Sequence, residues 1–180
     1  MKGLKVNSEL KGTFSAIIFS IVIAWFIITF IGQRTVVDGH SMENTLFHGD
    51  NLLIDKVSYD FEEPERFDII VFPHEIGGEK KYYIKRIIGL PGEEIYIDSR
   101  GFIYINGKLL KERFGREIME SPGIASSPIV LKEGEYFVLG DNRNHSSDSR
   151  DSSVGLVQSD KIIGKAFFRI YPFSKIGFLE

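Results

Sequence analysis

The chain has 180 residues, 43% of them apolar and 26% charged, with 22 basic against 25 acidic side chains and no cysteine. Length and composition fit one compact domain with a buried core. A net charge of −3 argues against a nucleic-acid binder working through a basic face. The missing thiols exclude a disulfide scaffold, a thiolate zinc site, an iron–sulfur cluster and a cysteine nucleophile.

Lys2, Lys5 and Lys11 precede a run, Gly12 to Gln33, with no charge for 22 residues. At about 1.5 Å per residue such a helix reaches roughly 33 Å, enough for a hydrocarbon core of about 30 Å. The exit, Phe30-Ile31-Gly32-Gln33-Arg34, lacks the small-x-small pair of a cleaved signal peptide, so the run reads as a retained anchor. A buried core helix is the other reading, disfavoured by a run apolar on all faces at the N-terminus with lysines on one flank. The lysine excess places the N-terminus in the cytoplasm. The expected organisation is a cytoplasmic segment over 1–11, a single-pass membrane anchor over 12–33 and an extracytoplasmic domain over 34–180.

Beyond the anchor, helical periodicity gives way to short β-rich runs. Strands are expected near Asn51–Lys56, Asp68–Phe72, Tyr82–Leu90, Glu94–Asp98, Phe102–Ile105, Glu135–Leu139 and Ile162–Ile170. Pro91-Gly92, Ser99-Arg100-Gly101, Asn106-Gly107 and Glu133-Gly134 supply turns between them, and Phe102–Leu110 is the best hairpin candidate. Leu110–Val130 is polar, interrupted by Gly and Pro, and reads as an excursion from the main sheet. The fold class is therefore mainly β: a transmembrane helix followed by a folded-over antiparallel sheet domain.

Three segments can carry chemistry. The first is Val37–Leu46, with Ser41 a few residues past the anchor; its bland reading is a linker turn. Glu43 stands where a nucleophile elbow needs Gly. The second is Tyr82–Glu93, where Lys85 and Arg86 interrupt an apolar strand and must point to opposite faces. One can reach solvent or a carboxylate while the other is partly buried; two snorkelling surface charges are the plainer reading. A buried lysine has its ammonium form disfavoured, and a neutral lysine is a competent base for a serine. The third is Leu139–Ser153, dense in Asp, Asn, Arg and Ser. It fails the calcium-loop pattern and reads as either a solvated loop or an ordered buttress. No histidine pair has metal-ligand spacing. His40, beside Ser41, would face away from it in an extended segment, which disfavours a Ser–His–Asp triad.

Taken together and in order, these segments resemble the bacterial type I signal peptidase family, in its Gram-positive-like form with one N-terminal anchor. Gly39-His40-Ser41-Met42-Glu43-Asn44-Thr45-Leu46 resembles the family's nucleophile box, and Gly49–Lys56 its following strand. Lys85–Glu93 resembles the lysine box, and Gly140-Asp141-Asn142 through Ser146-x-Asp148-Ser149-Arg150 the last box. The resemblance implies Ser41 as nucleophile, Lys85 as general base, Ser146 orienting the Lys85 amine, and Asp148 with Arg150 as a structural ion pair. The Ser41 backbone N–H would hold the oxyanion, with only backbone contributed from Gly39. It also implies exported preproteins as substrates, cut after small residues at −3 and −1, with membrane lipid and the export machinery as partners and no cofactor, metal or nucleic acid. His40 and Asn44 stand where the box often has proline, so a less pre-organised loop is expected. The rivals are a Ser–Lys self-cleaving repressor domain, a binding-only β-domain and an inactive family member.

Overall fold

A computed structural model describes residues 11–23 and 32–180. The contacts divide the chain into two bodies, Met1–Gln33 and Arg34–Glu180. In the first, residues 11–23 are helical. No helix among the described residues is long and apolar enough to cross a membrane. Residues 24–31 of the expected anchor lie outside the described residues. Its last two residues, Gly32 and Gln33, open strand β1 (Gly32–Val36) instead of ending a helix. Glycine and a polar pair are poor material for a helix end that must stay in hydrocarbon. Next to them Arg34 donates through Nε to Asn51 Oδ1 at 2.9 Å.

Two sheets make up the larger body. The main one runs β1, β2 (Asn51–Asp55), β11 (Gly164–Tyr171), β3 (Ile69–Ile76), β4 (Glu79–Gly89), β9 (Glu135–Leu139) and β10 (Val157–Gln158), with β12 (Gly177–Phe178) added beside β11. The smaller sheet runs β7 (Lys108–Leu109), β6 (Ile103–Ile105), β5 (Glu94–Ile97) and β8 (Ile129–Val130). The neighbours β3–β4, β4–β9, β2–β11 and β5–β6 all pair antiparallel. Every expected strand is present, Glu135–Leu139 with the expected ends and the others with shifted ends. β1, β8, β10 and β12 were not expected; three of them are two residues long, too short to show alternation.

The run of isoleucines in β4 reads as continuous because both faces are covered. Ile87 packs with Ile70, Phe72 and Val138 on one side. Ile88 packs with Ile95, Ile97 and Ile105 on the other. Alternating side chains enter different cores, and burying each is worth about 1.5–3 kcal/mol. The β6–β7 hairpin closes through Asn106 (φ 50°) and Gly107 (φ 72°). Two successive positive φ values are what a two-residue hairpin turn of matching twist requires.

The 110–130 excursion does not depart from the main sheet as expected; it starts after β7 and returns in β8, both in the smaller sheet. It buries Met119 and Ala125 beneath that sheet and ends in β8, where Ile129 pairs with Ile95.

Candidate active site

The Ser41 turn is pinned from below by its own neighbours. Met42 (2% exposed) and Leu46 (0%) drop into the core formed with Leu52, Ile54 and Val71. Local bonds close the turn: Glu43 N–H donates to His40 O at 3.1 Å and Leu46 N–H to Met42 O at 2.8 Å. Distant partners hold it too. Asn142 donates from its backbone to Ser41 O and from Nδ2 to His40 O, both at 3.0 Å. Asn44 Nδ2 donates to Phe114 O at 3.1 Å.

The expected loosening from lost prolines is not what this turn shows. Asn44 has φ 111°, far from the −65° or so to which a proline ring is locked. Asparagine tolerates that region and adds the tether to Phe114.

Lys85 lies in β4 opposite Ile70, 3% exposed, with Nζ 2.8 Å from Ser41 Oγ and 3.1 Å from Ile84 O. Burial pushes its pKa down to about 8, against a smaller upward pull from the carboxylates of Asp148 and Asp141. A neutral amine at that distance can accept the hydroxyl proton and activate the oxygen.

Arg86 projects to the opposite face but does not reach solvent; it is 0% exposed. Of the two outcomes expected for the exposed partner, solvent or a carboxylate, Arg86 takes the carboxylate, and the plainer reading of two snorkelling surface charges fails. Nε and Nη2 fork onto the Asp141 carboxylate at 2.9 and 2.8 Å. Nη1 donates to Phe67 O at 2.8 Å and to Glu180 O at 2.9 Å. The guanidinium also lies 3.7 Å from the centre of the Phe114 ring. A planar, permanently charged fork suits such a set; an ammonium would not. Asp141 in turn accepts from Thr45 Oγ1 at 2.5 Å, so the pair ties β4 to the Ser41 turn.

The Leu139–Ser153 loop is an ordered buttress. Asp148 pairs with Arg150 at 2.8 Å and accepts from Gly140 N–H at 3.0 Å. Gly140 sits so close to the turn that an added Cβ would lie 2.4 Å from Ser41 O and 2.2 Å from Ser146 Oγ. Ser146 Oγ itself is buried with no hydrogen-bond partner among the described residues. The expected hydrogen bond from Ser146 to the Lys85 amine is therefore not formed; the amine meets Ser41 Oγ and Ile84 O instead.

His40 takes no part in a triad. Its Nδ1 lies 2.6 Å from Glu43 Oε1 on the surface. Gly39 has φ 113° with open space at its Cβ position, which leaves only backbone facing the turn.

Ser41 and Lys85 open into a groove of about 940 Å³, walled by residues 35–43 on one side and 81–85 on the other. Sequence reasoning missed Asn142 and Asp141 as tethers and Arg116 and Glu43 as a rim pair, 3.1 Å apart. Arg116 carried no local signal, since its partner lies 73 residues away.

The family model described as "Signal peptidase, peptidase S26" matches residues 10–171. The chain is 40% identical over 164 residues to the probable signal peptidase I-2 of Synechocystis sp., covering 89% of this chain and 72% of that protein. Signal peptidase I of Leptolyngbya laminosa is 37% identical over 179 residues, covering 96% of this chain and 85% of the relative. That of Bacillus licheniformis is 36% identical over 170 residues, covering 89% and 88% respectively. Matched over most of its length and covering 72–88% of these relatives, the chain belongs to the signal peptidase family, peptidase S26, and is a hydrolase of the serine endopeptidase class.

Proposed function

We propose that the protein is a membrane-anchored endopeptidase that removes N-terminal signal peptides from exported preproteins, with Ser41 as nucleophile and Lys85 as general base. The observation that carries this is the buried Lys85 amine 2.8 Å from Ser41 Oγ, at the floor of an open groove. The substrate adds to the groove as an extended strand, small side chains at −1 and −3 entering its apolar wall. Lys85 takes the Ser41 proton, Ser41 attacks the carbonyl, and the Ser41 N–H with backbone near Gly39 faces the oxyanion. Lys85 then protonates the departing amine of the mature protein. Water, deprotonated by the same amine, attacks the acyl-enzyme and frees the signal peptide.

In this reading Ile84 O orients the Lys85 amine, and the Asp148–Arg150 pair shapes the loop behind Ser41. None of these steps calls on a cofactor or metal. The charge-free run of residues 12–33, less the two that join β1, is read as the anchor, with residues 1–11 cytoplasmic and 34–180 outside. Lipid and the export machinery are then the remaining partners.

The test is cleavage of a preprotein by the full-length protein in detergent, with the cut located by mass spectrometry. A cut after a small-x-small site is expected, reduced by about 10⁴-fold or more in both Ser41→Ala and Lys85→Ala. Folded wild type that cuts no preprotein would end this reading.

Gly140→Ala probes the same site without touching a reacting group. Its new methyl must displace the Ser41 carbonyl. The expected result is roughly 100-fold slower cleavage, because a small misplacement of a nucleophile is costly, with about 1–3 kcal/mol lost in a denaturant titration.

A further inference from the structure

The groove has two unlike ends. Among its lining residues Val37, Val71 and Ile84 pack in one core, whereas Glu43 and Arg116, past Ser41 in the turn and its docked loop, pair with each other. The end near Thr35 is lined by Val36, Val37, Val71 and Ile84, with Asp38 and Lys81 of opposite sign at its rim. Thr35 lies just past the charge-free run. The other end is polar, lined by Glu43, Arg116, Asn142 and His145. An apolar signal sequence suits the first end, which leaves the second to the chain that is released.

At that second end Arg116 is the accessible charge. Its side chain is 52% exposed against 22% for Glu43. Both Glu43 oxygens are engaged, Oε1 by His40 at 2.6 Å and Oε2 by Arg116 Nη1 at 3.1 Å. The described contact with Glu43 uses Nη1 alone of the five guanidinium donors. Arg116 is also fixed in place, its backbone N–H donating to Asp141 O at 2.8 Å beside the Ser41 turn. Glu117 and Glu120 of the same loop line other cavities. His40 and His145 are the other titratable side chains lining this end.

We propose that Arg116 is a specificity-determining residue that favours substrates bearing a carboxylate side chain in the first residues of the released chain. The proposal rests on the peptidase reading above. The carboxylate of the released segment meets the donors that Glu43 leaves open.

The test uses the full-length protein in detergent and three preproteins identical except for Asp, Ala or Lys at the second residue of the released chain. The readout is the ratio of kcat/KM values within one enzyme preparation, which is independent of the fraction folded. Wild type is expected to prefer Asp over Lys by about three- to fivefold, the size of an exposed charge pair, and less so at high salt. Arg116→Glu should reverse the order, and Arg116→Lys should keep it. Equal rates for Asp and Lys in wild type, or an order that Arg116→Glu leaves unchanged, overturn the proposal alone. Cleavage of none of the three overturns the peptidase reading together with it.

Discussion

Cleavage should rise with pH through a midpoint at about 8, the value to which burial lowers Lys85. Below it the amine is an ammonium and cannot take the Ser41 proton; above it the base is free. The profile to measure is kcat/KM for a preprotein between pH 6 and 10, which reports the free enzyme. A flat profile with chemistry rate-limiting would remove Lys85 from the role of base. Lys85→Arg should be inactive at every pH, because a guanidinium does not deprotonate in this range.

The same burial has a cost in stability with a definite sign. The amine titrates near 8 in the fold against 10.5 for an ordinary lysine. Between those values the unfolded chain holds more protons, so this residue makes the fold more stable as pH rises from about 8 to 10.5. Below that window the ammonium is buried at a penalty of up to about 3 kcal/mol. Lys85→Met should therefore be inactive yet more stable than wild type at pH 7, with the gain shrinking toward pH 10.5. Urea titrations at the two pH values measure it. Such a pairing of lost activity with gained stability would mark Lys85 as kept for chemistry.

The second large effect is expected at Asp141. Its carboxylate is 1% exposed and the Arg86 guanidinium 0%. Asp141→Ala strands that guanidinium in the interior, at a cost of about 3–5 kcal/mol. It also removes the acceptor for Thr45 Oγ1, so the Ser41 turn loses one of its links to β4 and keeps those from Arg86 Nη2 and Lys85. Thermal denaturation should show a large drop, and cleavage by the remaining folded protein should fall as well. Replacing both partners, Arg86→Met with Asp141→Leu, should recover much of the stability, because no charge is then left buried alone. Activity should stay low in the double variant, since the tether is still missing.

Legibility in the sequence followed the range of the interaction. β9 and the Asn106–Gly107 hairpin were readable because alternation and turn chemistry are local. β8, β10 and β12 were not, because each is fixed by a neighbour rather than by its own pattern. Ser41 and Lys85 were named through motif resemblance, and their separation of 44 residues closes only in the fold. For Arg86 strand geometry gave the direction and left solvent or a carboxylate open; the choice between them depends on Asp141, 55 residues on. The Glu43–Arg116 rim pair and the Asn44–Phe114 tether belong to a loop whose polar, aperiodic sequence gives no clue to where it docks.

The position of β11 in the main sheet bears on when the enzyme becomes competent. This strand, residues 164–171, is inserted between β2 and β3, and Arg169 from it donates to Thr45 O at 2.6 Å. Ser41 precedes β2 and Lys85 sits on β4, so the sheet joins the two sides of the site through a strand that the sequence supplies after both. A chain cut short before residue 164 lacks that strand and is expected to cut no preprotein.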